Sequence, residues 1–200
     1  MISLSKPVQY GYDITMMPVP SASESRDRLL RATAALDGAS VPYVVVGRQA
    51  VAVWIACIDA TAVRRSDDSQ ILLRRADFPV ATVALEVAGF AYRHSVGFEF
   101  FVDGEDGKVL DAIHVLFANE KIRKDYAQDA IDIHPYELAP PFRMLPFAQL
   151  VRMLLSSFRI EDRIDLRDLI DVGLIDNSYI EQLPEDLALR LRGIFDTANN

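Results

Sequence analysis

Three side chains with chemical potential fall at positions where strand geometry can bring them together: Asp68, Gln70 and Asp111. On an extended strand alternate residues share a face, so Asp68 and Gln70 point one way while Asp67 and Ser69 point the other. The apolar run Val109–Ala118 predicts a second strand, with Asp111, Ile113, Val115 and Phe117 on one face and Ala112, His114 and Leu116 on the opposite one. If the two strands are neighbours, Asp68, Gln70 and Asp111 converge. A carboxylate beside an apolar strand is costly unless something positive meets it, which marks Asp68 and Asp111 as site residues. Arg64, Arg65, Arg74 and Arg75 flank the first strand; they are either that positive partner or solvated strand ends, and the second reading leads.

The elements that must hold these residues begin upstream. An apolar strand, Pro42–Val46, stops at Gly47–Arg48 and opens into a helix over 49–58. Glycine lets backbone approach a ligand and a helix N-terminus offers free N–H groups, so this corner is an anion site on its chemistry, at even odds with a plain turn. The helix is apolar on nearly every side and belongs to the core. A helix capped by Ser23 and ending near Asp37–Gly38 precedes the unit. Another, started by Asp77 and Pro79 and running to Ala88, is expected to bury Val80, Val83, Ala84 and Val87. Phe90–His94 and Phe98–Val102 read as strands, and the Asp/Gly cluster 103–107 as the loop of an antiparallel hairpin. Residues 119–145 read as a crossing segment, with helix expected over Glu120–Asp132. From Pro146 the period is helical: Phe147, Leu150, Val151, Leu154, Leu155 and Phe158 follow i, i+3, i+4, i+7, i+8, i+11. Further helices are expected over 162–171 and 184–195, with a short turn of helix at 176–182. The row Asp162, Asp165, Asp168 reads as a solvated face, and His114 as packed away from the carboxylates. The domain reading is an extended arm over 1–22, an α/β domain over 23–140 and a helical subdomain over 141–200.

At 200 residues, 50% hydrophobic and 25% charged, the composition is that of an ordinary globular protein. A net charge of −8 argues against broad binding to nucleic acid or anionic membrane. A single cysteine, Cys57, cannot close an internal disulfide and fits a reducing cytoplasm. No basic-then-apolar leader and no run near the ~18 apolar residues of a membrane span are present, so a cytoplasmic location is expected.

The pattern as a whole resembles the nucleotidyltransferase superfamily, the polymerase-beta-like fold, and within it the bacterial minimal and abortive-infection toxin type. That pattern is a strand, a Gly-Gly or Gly-Ser turn, a helix, an Arg-x-Thr-x-Asp-x-Asp strand and a later third Asp. Here Gly47-Arg48 looks like the turn, Arg64-Arg65-Ser66 like the Arg/Thr element, Asp68-Ser69-Gln70 like Asp-x-Asp, and Asp111 like the third carboxylate. Leu150–Leu155, then Arg159, Asp162, Asp165-Leu166 and Asp168-Leu169, are similar to the family's C-terminal helices. The resemblance implies a mixed sheet flanked by helices with a helical C-terminal part. It implies Mg²⁺ held by Asp68 and Asp111, and a nucleotide or phosphate bound with the help of Gly47, Arg48, Arg64, Arg65, Ser66 and Gln70. The departures matter equally. Gln70 lacks the second charge, Arg48 replaces a small residue, and the family's helical lysine falls on Leu154 or a neighbour. The expectation is therefore nucleotide or phosphate binding with impaired catalysis. The alternative is a non-catalytic module with a protein partner, such as one half of a toxin–antitoxin pair.

Overall fold

The computed structural model describes residues 24–64, 69–139 and 142–198. The expected arm over 1–22 and the site residues Arg65, Ser66 and Asp68 lie outside the described residues. A seven-stranded mixed sheet forms the centre, in the order β3-β4-β5-β2-β1-β7-β6. The strands are β1 Tyr43–Val46, β2 Ser69–Leu73, β3 Phe90–Ser95, β4 Phe98–Asp103, β5 Ile113–Phe117, β6 Glu137–Ala139 and β7 Phe142–Met144. The helices are α1 Glu24–Gly38, α2 Gly47–Ala56, α3 Phe78–Val87, α4 Phe147–Ser157, α5 Ile160–Asp171 and α6 Glu185–Ala198.

The strand-turn-helix unit forms as expected. β1 is buried along its whole length, and Gly47 at φ +64 takes the chain directly into α2. In α2, Ala50, Val51, Val53, Trp54 and Ile55 are all buried, and Trp54 meets Phe147 of α4 edge-on at 5.1 Å. β2 lies antiparallel to β1 and parallel to β5, pairing Ser69 with Ile113 and Gln70 with His114. β4 lies antiparallel to β5, as the hairpin reading requires, and β3 pairs with β4 across the tight turn at Gly97. β7 joins the sheet parallel to β1.

Strand alternation then sorts the sheet into two faces. Ile71, Ile113 and Phe117 belong to the face under α3, whose Phe78 ring stands edge-on to Phe101 and Phe117. Gln70, His114 and Leu116 belong to the other, over which α4 brings Leu150 and Leu154. This second face is the site face.

Two helical expectations fail. In α3 the buried residues are Ala81 and Leu85, while Val80, Val83 and Val87 are exposed. The helix is apolar all round, so its sequence carries no contrast to orient it. The Phe78 ring decides, and Ala81 and Leu85 follow it inward at i+3 and i+7. The charged stretch 120–132 is not helical. Asp132 takes two hydrogen bonds from Arg74 at 2.9 and 3.0 Å, and Glu120 two from Arg75 at 2.6 and 2.7 Å. Asn119 N–H donates to the Ala130 carbonyl and Ala130 N–H to that of Glu120, both at 2.9 Å. Backbone bonds across the segment close it as a loop and replace the i to i−4 ladder a helix would need.

Candidate functional site

The site face of the sheet and the C-terminal helices enclose a cleft of about 600 Å³. Gln70 and His114 form its floor, side by side on β2 and β5. Gly47 and Arg48 form one wall, α4 supplies an apolar wall through Leu150, Met153 and Leu154, and the α4–α5 junction adds Arg159 and Asp162.

Gln70 packs against the glycine turn. A β-carbon placed on Gly47 would lie 3.1 Å from both Cδ and Oε1 of Gln70. With its φ in the left-handed region, the turn is one that glycine alone makes without strain.

Arg48 does not stand free in this corner. Its Nη2 lies 3.1 Å from Oδ1 of Asp165, and one helical turn further along α5 Asp168 receives Arg64 at 2.8 Å. Asp165 and Asp168 are 3% and 8% exposed, so the row expected to be a solvated face is largely buried. Periodicity misjudged it because the partners lie more than a hundred positions upstream, and only the tertiary fold brings them to α5. Burial pushes the Asp168 carboxyl up, and Arg64 and Arg48 oppose that rise.

Asp162 lies on the cleft wall. Burial raises its pKa, against hydrogen bonds donated by the Ser157 hydroxyl and the Arg159 N–H. Beside it Tyr126 is buried, and burial pushes its hydroxyl up too. Sequence reading missed Tyr126 and Arg123, which sit in a segment without periodicity. The cluster Lys121-Ile122-Arg123-Lys124 was the only signal available there.

Asp111 occupies a different place from the expected one. The strand starts at Ile113, and Asp111 ends a single turn of 3₁₀ helix over Val109–Asp111. It pairs at 3.7 Å with Arg28 of α1, a residue the sequence reading did not single out. Val109 and Leu110 line the cleft and Asp111 does not. His114, expected to face away, takes the floor position instead, because the parallel register of β2 and β5 sets it opposite Gln70 and turns Ile113, on the face that alternation gives Asp111, to the other side of the sheet.

The resemblance implies Mg²⁺, and the described residues do not fit a two-metal site. The floor offers an amide and an imidazole, whereas Mg²⁺ prefers carboxylate oxygens in octahedral geometry. Of the four carboxylates that line the cleft, Asp165 is engaged by Arg48 and Asp162 by Ser157 and the Arg159 backbone, while Asp129 and Glu161 are the other two. Among the described residues no group of three or more His, Cys, Asp or Glu side chains is arranged to hold a metal ion. Also among them, no helix is long and apolar enough to cross a membrane.

No family model matches the sequence, and no curated protein matches it. Several solved structures are similar. An H. pylori protein named as a nucleotidyltransferase matches at 15% identity over 86% of this chain and 77% of its own, with a TM-score of 0.49. The complex of ANT(2'')-Ia with adenylyl-2''-tobramycin matches at 13% identity over 89% of this chain and 100% of its own, with a TM-score of 0.46. The solution structure of the same antibiotic-resistance factor matches at 11% identity over 88% and 86%, with a TM-score of 0.45.

Proposed function

We propose that this protein binds a nucleotide in the cleft and does so without the two-metal chemistry of an active nucleotidyltransferase. The observation that carries the reading is the pairing of Gln70 with His114 on the floor of a cleft walled by Gly47 and Arg48. The strand–glycine–helix unit and the neighbouring β2–β5 pair follow the element order that the sequence resemblance implies. Among the described residues of the floor, an amide and an imidazole can donate and accept hydrogen bonds but add no fixed negative charge to hold a divalent cation. The cleft volume lies within the range of small-molecule sites, and an apolar wall with a few polar groups is their usual lining.

Ligand-dependent melting tests the reading. A nucleoside triphosphate well above its Kd should raise the melting temperature, since a ligand that binds only the folded state stabilises it by mass action. Met153→Trp, which fills the cleft from α4, should remove that rise. A rise undiminished in Met153→Trp would place the ligand elsewhere, and no rise in the wild type would end the proposal.

A further inference from the structure

The cleft is chemically graded from its floor to its mouth. The floor carries Gln70 and His114, hydrogen-bonding groups that are direct register partners across a parallel strand pair. The walls are apolar at Ile122, Leu150, Met153 and Leu154, and Leu116 follows His114 along the same strand face. At the rim stand two arginines with exposed heads. Arg123 lies with its guanidinium 4.9 Å from the centre of the Phe98 ring. Arg159 meets Glu161 only at 3.8 Å, between side chains 49% and 62% exposed, a contact weak enough for a ligand anion to displace. The glycine corner is the less favourable place for an anion, because Arg48 is already held by buried Asp165 and Asp162 shares the wall.

We infer that the cleft takes a nucleoside monophosphate with its base inward, edge-on to Gln70 and His114, and its phosphate outward between Arg123 and Arg159. This rests on the nucleotide-binding reading proposed above. A side-chain amide offers a donor and an acceptor in one plane and pairs with a base edge bidentately. The apolar walls receive the faces of the base, and guanidinium groups are matched to phosphate oxygens. Anionic phosphate thus stays near solvent, where two guanidinium groups meet it and water screens the carboxylates of Asp129, Glu161 and Asp162 that also line the cleft.

The test is calorimetry on the full chain in EDTA, using AMP, GMP, CMP and UMP, their nucleosides, and ribose 5-phosphate. At least one monophosphate should bind, its nucleoside about tenfold more weakly and ribose 5-phosphate more weakly still. Gln70→Leu and His114→Leu should weaken the monophosphate and its nucleoside by the same factor, about tenfold. Arg123→Gln and Arg159→Gln should weaken the monophosphate by a similar factor and leave the nucleoside unchanged. If one floor variant fails to fold, the other carries the comparison, and a shift of the His114 ring signals on adding nucleoside gives a variant-free check. The opposite split, with floor variants affecting only phosphate-bearing ligands, would overturn the orientation while nucleotide binding stands. Failure of every nucleotide, triphosphates included, would overturn both.

Discussion

Arg48 and Asp165 lie 3.1 Å apart, joining the turn that opens α2 to the middle of α5. Their side chains are 19% and 5% exposed, so the pair is shielded from solvent. Arg48→Met removes the partner of a buried carboxylate and should cost about 3 kcal/mol in urea unfolding. The double variant Arg48→Met/Asp165→Leu should recover most of that loss, because it removes the stranded charge as well. A single-variant cost below ~0.5 kcal/mol would show that solvent screens the pair.

Gly47→Ala should destabilise the fold by more than the roughly 1–2 kcal/mol that a side chain at left-handed φ costs by itself. It should also push Gln70 out of its contact, since the new methyl would lie 3.1 Å from the amide. In a Gln70→Ala background the cost should shrink to the backbone share alone. Equal costs in both backgrounds would show that the turn and residue 70 do not touch.

Gln70→Asp should create a metal response absent from the wild type. The new carboxylate would share the cleft with Asp162 and Asp165, so the variant should melt lower in EDTA and regain stability with millimolar Mg²⁺ by mass action. The wild type should show neither effect. A variant that melts like the wild type with and without Mg²⁺ would mean that residue 70 does not face the cleft.

Glu137 predicts a pH dependence. Its Oε2 is buried with no hydrogen-bond partner among the described residues, and burial raises its pKa above the usual carboxylate value. A raised folded pKa contributes stability that is full below the unfolded value of about 4.3 and is lost as pH rises through the folded one. Glu137→Gln, which abolishes the charge, should therefore raise the melting temperature near neutral pH, and the gain should vanish below about pH 4. A gain independent of pH would assign it to packing.

Much of the fold was legible because its signals are local. The apolar run ending at Gly47 announced β1 and α2, and the spacing from Phe147 to Phe158 announced α4. What was lost depended on distant partners. α3, apolar all round, gave no cue to which side the Phe78 ring would turn inward. Asp165 and Asp168 look like a solvated stripe until Arg48 and Arg64 arrive from another part of the chain. At the site, Gln70 was identified as the decisive departure, but its neighbour was misjudged. A 3₁₀ turn over Val109–Asp111 hands Asp111 to Arg28, and the register of β2 on β5, which alternation within one strand does not supply, sets His114 beside Gln70.

The central claim, nucleotide binding in the cleft without two-metal chemistry, is tested most directly by titrating ATP calorimetrically into the full chain, once in EDTA and once in millimolar Mg²⁺. Saturable binding is expected in EDTA, with an affinity that Mg²⁺ does not improve. Binding that appears only with Mg²⁺, or tightens tenfold or more on its addition, would contradict it.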